Sequence, residues 1–233
     1  MPARAIGAGA LDVRAHQLRD WADNKHGKTD DRPFGGGPGM VMSPQPIWDA
    51  VQAVEAHDQR PTTRVLLTPQ GRRLTQHDVE RFATSPRLLM LCGHYEGLDE
   101  RVIDALEPDE VSIGDYVLSG GEIAGLVLID AIARLLPGVL GHAESAIRDS
   151  FSEPETTDAI GTELPRKALQ RLGLPEGARV LDCPHYTKPV VWRGREVPDV
   201  LRSGDHQRIA EWRLAQALER TRQRRPDLLE PGR

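Results

Sequence analysis

Five segments of this 233-residue chain gather residue types that could hold a ligand or react with one. Gly35-Gly36-Gly37-Pro38-Gly39-Met40 offers backbone N–H groups that can close on an anion or a base; a plain tight turn fits it equally well. It is not a P-loop, because no Gly-Lys-Ser/Thr follows, and not a dinucleotide fingerprint, because no strong strand precedes it. Thr68-Pro69-Gln70-Gly71-Arg72, Cys92-Gly93-His94-Tyr95-Glu96-Gly97 and Ile113-Gly114-Asp115-Tyr116-Val117-Leu118-Ser119-Gly120-Gly121-Glu122 each follow a short apolar run. The fifth segment, residues 141–151, sets Asp149 at the edge of a polar stretch. A loop acid there is usually just solvated. His94 is equally ambiguous. Acids near Cys92 would raise its pKa, which argues against a thiolate nucleophile. No Gly-x-Ser-x-Gly elbow occurs, and no His/Cys/Asp/Glu set has convincing metal-ligand spacing.

The elements that must position these segments alternate. Thr63–Thr68, Arg87–Cys92 and Glu110–Ile113 read as short buried strands. Leu74–Ala83 reads as a helix with Thr75 as N-cap and Asp78 three residues on. Leu98–Leu106 reads as a second helix, and Glu122–Leu136 as a long apolar one stopped by Pro137-Gly138. Ser43-Pro44 starts an earlier helix that runs to about His57. The alternation predicts an α/β domain with a mostly parallel sheet. Three of the five segments then fall after strands, at the edge where open α/β sheets bind ligands. Their composition suits recognition by backbone amides and carbonyls, as for an adenosine. Phe151–Arg179 changes character: it opens polar, carries at most a short helix over 165–172, and reads as a linker. Asp205 to about Arg225 reads as a helix burying Ile209, Trp212, Leu214, Ala217 and Leu218, with arginines outward. The chain thus divides near residue 155.

Composition bounds the rest. Thirty Lys and Arg against 35 Asp and Glu give a net charge of −5, so a globally basic nucleic-acid coat is excluded. The charge is uneven. Arg87–Asp130 holds ten acids and two bases, whereas Arg60–Arg87 and Arg202–Arg225 are each net +4. An acidic centre flanked by basic stretches fits a protein that meets a polyanion on part of its surface, as well as ordinary solvated helix faces. No stretch approaches 18 apolar residues, the start lacks a signal-peptide run, and two cysteines build no disulfide framework. A soluble, reduced, cytoplasmic protein without membrane contact is expected.

Taken together and in order, the segments closely resemble the bacterial TrmD family of tRNA (guanine-N1)-methyltransferases, of the SPOUT superfamily. The matching stretches are DDRPFGGGPGM (Asp30–Met40), TPQGR (Thr68–Arg72), CGHYEGLDER (Cys92–Arg101) and SIGDYVLSGGE (Ser112–Glu122). LLPGVLG (Leu135–Gly141), DSFSE (Asp149–Glu153), LDCPHYTKP (Leu181–Pro189) and RRPDLLE (Arg224–Glu230) complete the set. The resemblance covers about residues 3–230, except roughly 154–179.

It implies a trefoil-knotted α/β methyltransferase domain with a parallel sheet over 1–153, a linker with an insertion over 154–179, and a small helical tRNA-binding domain over 180–233. A true knot is not something composition could suggest. It further implies a homodimer with each active site built across the interface. The reaction implied is methyl transfer from S-adenosylmethionine to N1 of guanosine 37, just 3′ of the anticodon. Carried over by position, the cofactor would meet Pro69, Gly71, Gly93, Tyr95, Ile113, Gly114, Asp115, Tyr116, Val117, Leu118, Gly120 and Gly121. Asp149 would be the general base, Arg134 would stabilise charge at O6, and Glu96 would help position guanine and cofactor. Magnesium dependence is also implied, but no all-protein cage is visible, and a Mg²⁺ held mostly by water would leave little trace.

The chain departs from the family pattern in three places. The family's first strand, ending Phe-Pro-Glu, is missing, which would leave a sheet neighbour unpaired. Roughly 25 residues are inserted between Glu153 and Val180. The chain stops soon after RRPDLLE. Two competing readings are a knotted methyltransferase acting on another RNA or on a ribose oxygen, and a non-enzymatic RNA-binding relative. Retention of Asp149 with Arg134 favours base N1 chemistry over the first of these.

Overall fold

A computed structural model describes residues 1–139, 149–151, 174 and 178–230. The described chain forms two compact units, Met1–Leu140 and Gly141–Arg233, and each is taken by itself. The helix expected over 165–172 and most of the insertion lie outside the described residues.

The first unit is built on a three-stranded parallel sheet. Its strands are β3 (Thr63–Arg73), β4 (Leu88–Cys92) and β5 (Asp109–Ser112), in the order β4-β3-β5. The chain leaves β4, passes β3 and returns on its far side, as parallel strands joined by helices require. Apolar side chains alternate along β4 because strand residues point to opposite faces. Leu88, Met90 and Cys92 pack with α3 (Gln76–Ala83) and α5 (Glu122–Leu135), around Val65, Leu67, Val79, Phe82 and Leu128. Leu89 and Leu91 pack on the other side, with Ile47 and Val51 of α2 (Pro44–Ala56) and Val102 and Leu106 of α4 (Glu100–Leu106). Burial on both faces explains why the strand reads as one unbroken apolar run.

Local chemistry sets the helix starts. Thr75 and Asp78 form a reciprocal capping box on α3, as expected from their spacing. Asp99 caps α4 by accepting from the Arg101 N–H. Ser43 occupies the cap position of α2 but makes no side-chain cap bond; Pro44, with its pre-set φ, begins that helix. A short first helix, α1 (Pro2–Gly7), lays Ala5 against Ala133 and Val139.

Two findings extend the expectation. First, β3 does not end at Thr68. It bulges out after Leu67, which pairs with Val111, and rejoins β5 at Arg72, which pairs with Val111 again. The return is held by Leu74 N–H donating to Ser112 O at 2.8 Å. Arg72 also bridges to Asp78 at 2.5 Å and to Asp109 at 2.9 Å. Burial alone would push the Asp78 carboxyl up, but the Thr75 hydroxyl and N–H, together with Arg72, outweigh it and hold it below its ordinary value. Second, β1 (Asp30–Asp31) and β2 (Val41–Met42) pair antiparallel, so the glycine-rich segment is the excursion between two short strands.

The second unit centres on α6 (His206–Arg224). Ala217 and Leu218 are buried against Val180 and Cys183, while Leu214 and Leu229 pack at the edge. Ile209 and Trp212, expected in the stripe, are half-buried, and Ala210 and Thr221 are buried as well. Thr221 Oγ1 donates to Ala217 O and accepts from Leu181 N–H, tying the Leu181–Pro189 segment to the helix. Arg208, Arg213, Arg222 and Arg224 are exposed. The unit also holds a hairpin of β6 (Val191–Trp192) and β7 (Arg195–Glu196).

Candidate active site

Three of the sequence segments meet beyond the carboxyl ends of the strands. The β3 bulge brings Pro69, the turn after β4 brings Gly93, Tyr95 and Glu96, and the turn after β5 brings Ile113, Gly114, Tyr116, Val117, Leu118, Gly120 and Gly121. All of these line one cleft with a cavity of about 190 Å³. The second and third turns are stitched together. Gly121 N–H donates to Gly93 O at 2.9 Å, and His94 forms a β-bridge with Gly120. His94 Nε2 and Glu122 Oε1 lie 2.5 Å apart across the same seam.

The remaining expected residues sit elsewhere. Gly71 does not line the cleft; it lies against β5. A Cβ there would stand 2.4 Å from Val111 N and 2.5 Å from Glu110 C, so only glycine allows the bulge to close on the strand. Asp115 points to Arg73, with Nη2 2.6 Å from its carboxylate. Arg134 occupies the last turn of α5. It is ten residues beyond the cleft residue Ala124, or about 15 Å along the helix axis. Asp149 belongs to the second unit. Its neighbours there are fixed: Asp182 N–H donates to Ser150 Oγ at 3.0 Å, and Phe151 N–H donates to Val180 O at 2.7 Å.

The glycine-rich segment also reaches the site. Glu96 N–H donates to Met40 O, and Met42 N–H donates to Gly97 O. Gly39, at φ +83°, lies so close to Glu96 that a Cβ would meet its carboxylate at 2.3 Å. Sequence reasoning named both segments without placing them together, and it did not single out the His94–Glu122 pair. The position of Glu122 at the end of SIGDYVLSGGE was the available signal.

Cys92 is held protonated, pushed up to about 11 by burial first and by Glu122 second. That agrees with its exclusion as a nucleophile, although burial outweighs the acids. One set of potential ligands does form among the described residues, where sequence spacing offered none convincing: Asp182, Cys183 and His185 lie within 4.8 Å of one another. Thiol and imidazole suit a softer ion than Mg²⁺. Burial also pushes the Cys183 thiol up, and His185 Nε2 is already 2.7 Å from Asp182 Oδ2.

Residues 1–231 match the family profile described as "tRNA (Guanine-1)-methyltransferase TrmD". The chain belongs to the TrmD family. Proteins named tRNA (guanine-N(1)-)-methyltransferase are similar to it along nearly its full length. The one from Rhodopirellula baltica is 48% identical over 97% of this chain and 84% of its own. Those from Halorhodospira halophila and Frankia alni are each 50% identical, over 97% of this chain and 76% of their own. No helix among the described residues is long and apolar enough to cross a membrane.

Proposed function

We propose that this TrmD-family chain is a tRNA (guanine(37)-N1)-methyltransferase that uses S-adenosylmethionine in the cytoplasm. The observation carrying the reading is the convergence of the bulge at Pro69, the turn at 93–97 and the turn at 113–121 on one cleft. The lining fits the donor. Glycines keep backbone amides and carbonyls open to an adenine edge, and Tyr95, Tyr116 and Leu118 add apolar and aromatic surface. Bound there, the sulfonium supplies an activated methyl group.

The protein's own part is proton handling and charge. Guanine N1 carries a proton at neutral pH, so it is a poor nucleophile until a base takes it. Asp149 is assigned that role. Negative charge then spreads to O6, where the Arg134 guanidinium stabilises it. Glu96, whose carboxylate lies close to Gly39, is assigned the orienting of guanine at the cleft. No step is assigned to Mg²⁺.

A homodimer with shared active sites, carried over with the family, is supported by two features of α5. Arg134 lies at the far end of α5 from the cleft of its own chain. The outer side of α5 carries Ile123, Leu126 and Val127, at 56%, 60% and 44% exposure. This i, i+3, i+4 apolar stripe is what a second copy would cover. Leu126→Glu is therefore expected to give a monomer by sedimentation that transfers no methyl group; an active monomer would remove the shared site. The trefoil knot, the linker over 154–179 and the helical tRNA-binding role of residues 180–233 are carried over with the family.

The deciding experiment is methyl transfer from labelled S-adenosylmethionine to a tRNA with guanosines at positions 36 and 37, beside one with adenosine at 37. Transfer to the first alone, with 1-methylguanosine as the product, is expected. A 2′-O-methyl product would reject base N1 chemistry.

A further inference from the structure

Residues 185–196 are all exposed, and within them β6 and β7 form a hairpin with no buried residue on either face. A two-stranded hairpin without a packed face is marginal by itself, so folding gives no reason for its side chains. Those side chains are unusual. Trp192 is 58% exposed, and the Arg193 guanidinium lies 5.1 Å from its ring centroid. Arg193 and Gly194, at φ +50° and +74°, make the two-residue turn. Mirror-image turns of this kind prefer Asn, Asp or Gly at both places, so an arginine at the first carries a conformational cost. Arg195 pairs across from Trp192. With Lys188 and Arg193 it makes three cations against the single acid Glu196 in this stretch, on a chain whose net charge is −5.

We propose that this hairpin is an RNA contact, in which Trp192 and Arg193 form a stacking face for an unpaired base and Lys188 and Arg195 meet the flanking phosphates. The chemistry is sequence-tolerant: every base has a face to stack, and arginine adds a cation–π contribution. A protein partner is disfavoured by the density of cations around Trp192, whereas a polyanion complements it. The inference rests on tRNA being the substrate.

The test uses the full-length protein and the tRNA with guanosines at 36 and 37, with filter binding, methyl-transfer KM and thermal melting as readouts. Trp192→Ala is expected to weaken tRNA binding by about tenfold, and Trp192→Phe by less than about twofold. Arg193→Gly relieves the turn, so it is expected to melt higher while binding tRNA more weakly and with a shallower salt dependence. Adenosylmethionine affinity serves as the control for the fold of the first unit. A purely structural hairpin gives the opposite pattern: Arg193→Gly is stabilised with tRNA binding unchanged. Unchanged binding by Trp192→Ala overturns the assignment, as does a shift of oligomeric state in place of a binding loss. Wild-type protein that holds no tRNA overturns the functional reading itself, so the two failures are distinguishable.

Discussion

Asp149→Ala is expected to lower methyl transfer by about a hundredfold to ten-thousandfold, the usual contribution of a positioned general base. Adenosylmethionine binding should be retained. The split follows from where the groups lie. The cleft is lined wholly by residues of Met1–Leu140, whereas Asp149 sits in the second unit. Removing its carboxylate takes away the proton acceptor and changes no residue of the lining. Asp149→Asn should fail almost as badly, because an amide keeps the shape and cannot accept the N1 proton. Single-turnover transfer to the guanosine-37 tRNA, with calorimetry of adenosylmethionine binding beside it, measures both halves. Near-normal turnover in either variant would remove Asp149 as the base. Loss of adenosylmethionine binding along with turnover would instead make the residue structural.

Much of the first unit was legible because its signals are local. The Thr75–Asp78 spacing is a cap that depends on four residues, and it formed as read. The run Leu88–Cys92 is apolar at every position because both faces are covered, so the unbroken run itself located the strand. The cleft was legible one step further on, since turns after parallel strands share an edge of the sheet. What stayed hidden depends on pairings distant in sequence. Nothing near TPQGR says that the chain rejoins β5 at Arg72, because that return is fixed by Asp78, Asp109 and Ser112. Gly39 and Glu96 are 57 positions apart, and only the pairing of Met40 and Met42 with Glu96 and Gly97 brings them together. The β6–β7 hairpin has two-residue strands, too short to show alternation, and its arginine turn is not the signature such turns usually carry. Asp182, Cys183 and His185 fall within four residues, yet their spacing does not show that their ligand atoms converge, and Leu181 just before them is pinned by Thr221 from 40 positions away.

Gly71→Ala should cost the protein both stability and cofactor, although Gly71 is not itself among the residues lining the cleft. Its added methyl would meet Val111 N at 2.4 Å and Glu110 O at 2.7 Å. These are backbone atoms of a core strand, with Val111 fully buried, so no flexible side chain can swing aside. Either β3 draws away from β5 or the bulge opens. Both break the Leu74–Ser112 bond and move Pro69 out of the cleft wall. Overpacking of this kind costs about 1–3 kcal/mol, which for a unit of this size lowers the melting temperature by several degrees. Adenosylmethionine affinity should fall by at least about tenfold, the effect of roughly 1.4 kcal/mol lost from the binding-competent arrangement. Gly7→Ala separates this clash from the general effect of replacing a glycine. Gly7 is a helical residue with no atom within 4 Å of an added Cβ, so that change should be neutral or slightly stabilising. Calorimetry and melting of the two variants side by side decide the matter. If Gly71→Ala melts and binds like Gly7→Ala, the bulge does not close on β5 in solution, and the cleft loses the wall that Pro69 supplies.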